Sequence, residues 1–253
     1  MIVLLILTVL INCDTTDEGE KPVIKTDPPF SGTIFIDPDI IIEDDPSTFV
    51  SLEYTGQATR TMFDRRVNDW ITDEPYLFVA TFDDGLEIEF QVNAEFGSEA
   101  DARPHALKYA EVIGRLPTAL RKDVETSWIH KGDQLFGGGN NNLLIHTEQG
   151  EKYIDQGILE ETFVHEASHT SLDAYHANAA GWIEAQKNDP AFISTYARDN
   201  PEREDIAESF LPYLAIRFRA DRITDELKTQ IEEAIPERIS YFDELDLNLY
   251  PIE

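Results

Sequence analysis

The chain has 253 residues, enough to bury a full core, and 42% of them are hydrophobic, which argues for a folded protein. Fifty acidic residues stand against 20 basic ones, and the resulting formal charge of −30 excludes nucleic-acid binding through a basic surface. The acidity carries two readings, a preference for basic peptides or surfaces and, more simply, a solubilising, salt-adapted exterior.

Residues 1–11 are apolar, too short a run to cross a bilayer but the length of a signal-peptide core. The run ends at Asn12-Cys13 and gives way to an acidic stretch. Cys13 is the only cysteine, so neither an internal disulfide nor a cysteine-based metal site can form. An apolar run ending at a lone Cys resembles a bacterial lipoprotein signal over residues 1–13, which implies lipidation of Cys13; a plain secretory signal is the alternative. Either places the mature protein outside the cytoplasm, with membrane contact only through the lipid. Residues 14–31, rich in Asp, Glu, Thr and Pro, read as a flexible acidic tether, and residues 32–253 as one domain.

Within that domain, Thr33–Ile42 is β-prone but carries Pro38, which suits an edge or bulged strand. Tyr76–Phe82 and Leu86–Val92 flank Asp83-Asp84-Gly85 and predict a hairpin. Ser98–Gly114 has helical spacing of Ala102, Ala106, Tyr109, Ala110 and Ile113, and a short helix follows over Pro117–Asp123. Thr126–His130 and Leu143–His146 predict two strands, joined by a loop through Phe136-Gly-Gly-Gly-Asn-Asn-Asn142 that reads as a flexible turn. Helices are expected at Ile158–Tyr175, Asn178–Lys187, Arg203–Ala220, Thr224–Ala234 and Pro236–Phe242. A mixed N-terminal sheet with helices, then a helical C-terminal half, is an α+β plan.

One stretch specifies a chemistry. Residues 165–169 read His-Glu-Ala-Ser-His, the H-E-x-x-H pattern, at the junction of the two halves. On a helix His165 and His169 share a face and can hold one metal ion, and Glu166, rotated by about 100°, can take a proton from water beside it. The flanks are apolar and helical, which weakens the bland alternative of two ordinary helix histidines. A catalytic zinc needs a third protein ligand. Asp173 lies about 12 Å along the helix from His165, too far to ligate without a break, so a role supporting a ligand histidine, a cap or a salt bridge suits it. His176 misses the metzincin spacing by one residue, Ser171 holds the glycine position, and both methionines precede the motif. His176 therefore reads as a helix-end residue, and His105, His130 and His146 as structural. A carboxylate from Glu204 or Glu208, paired at i and i+4 on a later helix with an apolar side, remains as the source.

His165-Glu-Ala-Ser-His169 followed by Tyr196-Ala-Arg and Glu204-Asp-Ile-Ala-Glu208-Ser-Phe resembles the gluzincin catalytic domain of the anthrax lethal factor type, over residues 158–215. The resemblance implies a zincin-like metalloprotease fold with the active-site helix between its two halves. It further implies a zinc ion held by His165, His169 and Glu204, with Glu166 as general base, Glu208 and Asp173 as outer groups and Tyr196 assisting at the oxyanion. In peptidases of this plan an upstream edge strand binds the substrate backbone, and Leu143–His146 is the candidate, with Asn140–Asn142 at its rim. The expected function is zinc-dependent hydrolysis of protein or peptide substrates, basic ones if the acidity is functional. A catalytically silent surface lipoprotein with a structural metal site and a zinc hydrolase of non-peptide bonds are the alternatives; the intact Glu166 argues against the first.

Overall fold

In the computed structural model, which describes residues 25–252, the strands come first: β1 (Phe49–Gln57), β2 (Arg60–Asp64), β3 (Asp69–Asp73), β4 (Tyr76–Phe82), β5 (Glu87–Val92), β6 (Thr126–His130), β7 (Gly137–Gly139) and β8 (Asn142–His146). Six of them form one mixed sheet in the order β1-β4-β5-β6-β8-β7, and β2 and β3 pair separately. The hairpin turn at Asp83-Asp84-Gly85 forms as the sequence predicts, with Gly85 at φ 86°. β5, β6 and β8 run parallel. A parallel pair needs a crossover, and α1 (Glu99–Ile113) with α2 (Thr118–Arg121) supplies the one from β5 to β6. Ser98 caps α1 by accepting from Asp101 N, and Ala102, Ala106, Tyr109, Ala110 and Ile113 form its buried stripe.

Beyond residue 146 the described chain is helical: α3 (Thr147–Asp155), α4 (Leu159–Ser171), α5 (Asp173–His176), α6 (Ala180–Asn188), α7 (Thr195–Asp199), α8 (Asp205–Phe218), α9 (Asp225–Ala234) and α10 (Pro236–Asp243). The protein is thus α+β, an N-terminal sheet with helices followed by a helical half. α8 is buried on every side from Asp205 to Ile216 and forms the centre of that half. Of its buried charged residues, Asp205 is paired with Arg238 at 2.8 Å, and Arg238 also holds Asp189 at 2.7 Å, so one buried guanidinium serves two buried carboxylates. α4 packs against both α8 and β7, which sets it at the junction of helices and sheet.

Four expectations need correction. Residues 33–42 form no strand. Ile34, Ile36, Ile40 and Ile41 are buried, but the backbone N–H of Ile34 goes to Glu208 (3.1 Å) and that of Ile36 to Glu161 (2.8 Å), so carboxylates replace a ladder. The loop through Gly137–Gly139 is itself a strand, turned back onto β8 at Asn140-Asn141, both at positive φ (51° and 58°) as a tight hairpin requires. Leu143–His146 is consequently an interior strand between β6 and β7, buried at every position, and not the sheet edge. The helix expected over Ile158–Tyr175 breaks at Leu172 (φ −116°), dividing α4 from α5.

The end of the segment read as a tether is docked. Lys25 Nζ donates to the carbonyls of Lys187 and Asp189, both at 2.6 Å, and Phe30 bridges to Ser194. The signal segment and Cys13 lie outside the described residues, and among those described no helix is long and apolar enough to cross a membrane.

Candidate metal centre

The core stripe of α4, Phe163, Val164 and Ala167, is buried, and this orients the other face of the helix into a cleft of about 530 Å³. His165, Glu166, His169, Asp173, Tyr196 and Glu204 all line that cleft. Glu204 arrives from the second half at the N-terminal boundary of α8, one position before the helix proper, where its backbone N–H bonds Asn200 O at 2.9 Å. The i, i+4 relation to Glu208 persists across this boundary, but the two carboxylates serve different nitrogens of the histidine pair.

Three donor atoms converge. His165 Nε2 and His169 Nε2 are 3.1 Å apart, and Glu204 Oε2 is 3.4 Å from the first and 3.2 Å from the second. Donors held tetrahedrally at about 2.0–2.1 Å from one ion are about 3.3–3.4 Å apart, so the triangle has the size of one face of a zinc site. Among the described residues this is the one cluster of three such groups with metal-ligand spacing. The outer nitrogens are engaged as well. His169 Nδ1 lies 2.7 Å from Asp173 Oδ2, and His165 Nδ1 lies 3.4 Å from Glu208 Oε1. A carboxylate at Nδ1 keeps a proton there, so the proton that a bound metal would displace from each ring is the one at Nε2, facing the triangle. The residues present therefore fit a His, His, Glu metal site.

The electrostatics follow from the crowding. Burial pushes the Glu204 carboxyl up, but hydrogen bonds from His165, His169 and Tyr196 outweigh it and hold the group well below the usual carboxylate range. Burial alone would lower His169, yet Asp173 and Glu204 raise it to about 10. Glu208, fully buried, is pushed up by burial against its 2.5 Å bond from Ser194 and the charge of His165. Tyr196, on α7, faces Glu204; burial first and then that carboxylate push its phenol up to about 12, so it stays protonated. Arg203 reaches the outer oxygen of Glu204 at 3.2 Å.

The sheet edge beside this helix is β7. A Cβ on Gly138 would fall 1.8 Å from the carbonyl oxygen of Glu166, so only glycine lets the strand approach the helix this closely. Thr170 pins the contact by accepting from Gly139 N (2.8 Å) and donating to Asn142 O (2.9 Å). Gly138 and Gly139 line the cleft, whereas Asn140 and Asn141 are the exposed turn beyond them.

The remaining histidines lie elsewhere. His176 ends α5 and bonds Tyr241 Oη (2.8 Å), His105 packs on Phe96, and His130 and His146 stack in the interior. Residues that the sequence patterns missed include Arg65, Leu135 and Tyr153, which also line the cleft. Arg65 comes from the turn of the β2–β3 hairpin, whose charged turn residues hide it. No family model, curated protein or solved structure matches this chain.

Proposed function

We propose that the chain is a zinc-dependent metallopeptidase of gluzincin type with a zincin-like domain, its metal held by His165, His169 and Glu204. The observation that carries this reading is the convergence of the three donor atoms at 3.1–3.4 Å in a cleft that also contains Glu166. A zinc ion bound there supplies Lewis acidity toward the scissile carbonyl and makes water acidic enough to attack near neutral pH.

The chain's own residues account for the rest. Glu166 accepts a proton from the attacking water as its oxygen bonds to the carbonyl carbon, and delivers that proton to the amine nitrogen as the C–N bond breaks. Tyr196, kept protonated by burial and by Glu204, donates a hydrogen bond to the carbonyl oxygen as it gains charge. Asp173 and Glu208 hold the two imidazoles in register. The substrate backbone pairs with the free edge of β7, which takes the role the sequence assigned to Leu143–His146.

The test is twofold. One equivalent of zinc should bind and be lost in Glu204→Ala, and a peptide-library digest should stop with a chelator or in Glu166→Gln. Full zinc binding by Glu204→Ala, or cleavage that survives Glu166→Gln, overturns the assignment.

A further inference from the structure

Arginines in this chain are almost all spoken for. Of the twelve, ten make ion pairs with carboxylates and Arg219 donates to the carbonyls of Phe218 and Ile252. Among the described residues, Arg65 is the one arginine with neither a hydrogen bond nor an ion pair. In a protein with 50 acidic and 20 basic residues, an arginine left without a carboxylate is against the odds. Its place is specific. The adjacent Arg66 is tied to Asp64 and Glu95, both at 2.8 Å, and its backbone N–H also bonds Asp64 (2.8 Å), which anchors the turn of the β2–β3 hairpin. Arg65 extends from that anchored turn into the cleft that holds His165 and Glu166, and lies against the first residue of β7. A Cβ on Gly137 would sit 2.7 Å from Arg65 Nη2, so the glycine makes the room the guanidinium occupies. The other cleft arginine, Arg203, is committed to Glu204.

We infer that Arg65 is a specificity-determining residue that receives a carboxylate of the peptide substrate. This rests on the peptidase reading above. A guanidinium presents a fork of N–H donors that matches a carboxylate, and one with no internal partner needs none displaced. A peptide paired antiparallel to β7 runs from Gly139 toward Gly137 and brings its C-terminal side to Arg65. The carboxylate is therefore an Asp or Glu side chain on that side of the cleaved bond, or the free C-terminus. The acidic exterior acts on long-range approach and Arg65 on one position, so a substrate basic overall and acidic at that position satisfies both.

The experiment uses zinc-loaded protein and matched peptides carrying Glu, Gln or Lys at successive positions after the scissile bond, each as free acid and as C-terminal amide. Wild type should favour Glu over Gln by about tenfold in kcat/KM at one position, or free acid over amide by the same factor, and the pattern tells the two sources apart. Arg65→Gln should abolish the preference, Arg65→Lys should restore part of it, and Arg65→Glu should turn it toward Lys. The same peptides are also measured by fluorescence anisotropy on zinc-loaded Glu166→Gln protein, with and without the Arg65 changes. Charge-indifferent binding and cleavage in wild type, or a preference that survives Arg65→Gln, overturns the inference. Arg65-dependent binding of the acidic peptides without cleavage by wild type supports it while refuting the peptidase reading.

Discussion

His169 Nδ1 lies 2.7 Å from Asp173 Oδ2 across the break at Leu172 that ends α4. The carboxylate thus holds one face of the ring while Nε2 faces His165 and Glu204. Groups that orient a ligand imidazole in this way carry about 10- to 100-fold in metal affinity. Asp173→Ala should weaken zinc binding by that factor in competition against a chelating dye, and Asp173→Asn should recover part of it because an amide oxygen still accepts. Equal affinity in wild type and Asp173→Ala would remove Asp173 from the site.

Gly138 lies against α4 with no space for a side chain beside the Glu166 carbonyl. Gly138→Ala must push β7 off α4 or distort both, a cost of about 1–3 kcal/mol for overpacking. In a chain of this size that lowers Tm by several degrees, about 2–4 °C per kcal/mol. Peptide cleavage should fall further than stability does, since both the strand edge and Glu166 move. A variant with wild-type Tm and activity would show that the edge strand is not held against the helix.

How much of this was legible depended on the range of the interaction. His165, Glu166 and His169 sit within one and a bit turns of a helix, and Asp173 is four residues from His169, so local spacing alone puts them together. Glu204 required a resemblance, because the packing of α4 on α8 is a long-range event that no spacing encodes. β7 left no pattern: three consecutive glycines have no side chains to alternate, and its identity as a strand comes from pairing with β8. The isoleucines of residues 33–42 did report burial, but the same pattern serves an irregular segment whose N–H groups find Glu208 and Glu161. Arg65 was hidden for a different reason. Its significance is the absence of a partner, which only the folded arrangement of the other arginines reveals.

Glu161 gives the stability a pH dependence of definite sign. Its carboxyl is pushed up to about 8, chiefly by burial, with the N–H of Ile36 opposing and Asp39 adding to the effect. In the unfolded chain a glutamate loses its proton near about 4.3. Between those values the folded state holds a proton that the unfolded state has lost, so stability falls as pH rises, by about 1.4 kcal/mol per unit for one group. Glu161→Gln keeps an acceptor for Ile36 and cannot titrate. Its stability relative to wild type, from urea melts, should therefore climb from pH 5 to about 8 and then level off. A difference that is flat over this range would mean that Glu161 is ionised in the fold.

Tyr196 separates two roles that the geometry joins. The phenol faces Glu204 and lines the cleft, so it could act on the ligand carboxylate or on the substrate oxygen. Loss of a donor to a developing oxyanion costs about 100- to 1,000-fold in kcat, with KM little changed, because the contact strengthens only as charge develops. Loss of a prop for Glu204 acts differently, loosening zinc while leaving turnover at saturating metal near normal. Tyr196→Phe, assayed at saturating zinc with its zinc affinity measured in parallel, should show the first pattern: a fall in kcat of at least about 100-fold, with zinc affinity within about tenfold of wild type. The reverse pattern would make Tyr196 a support for Glu204 and leave carbonyl polarisation without a side-chain donor from α7.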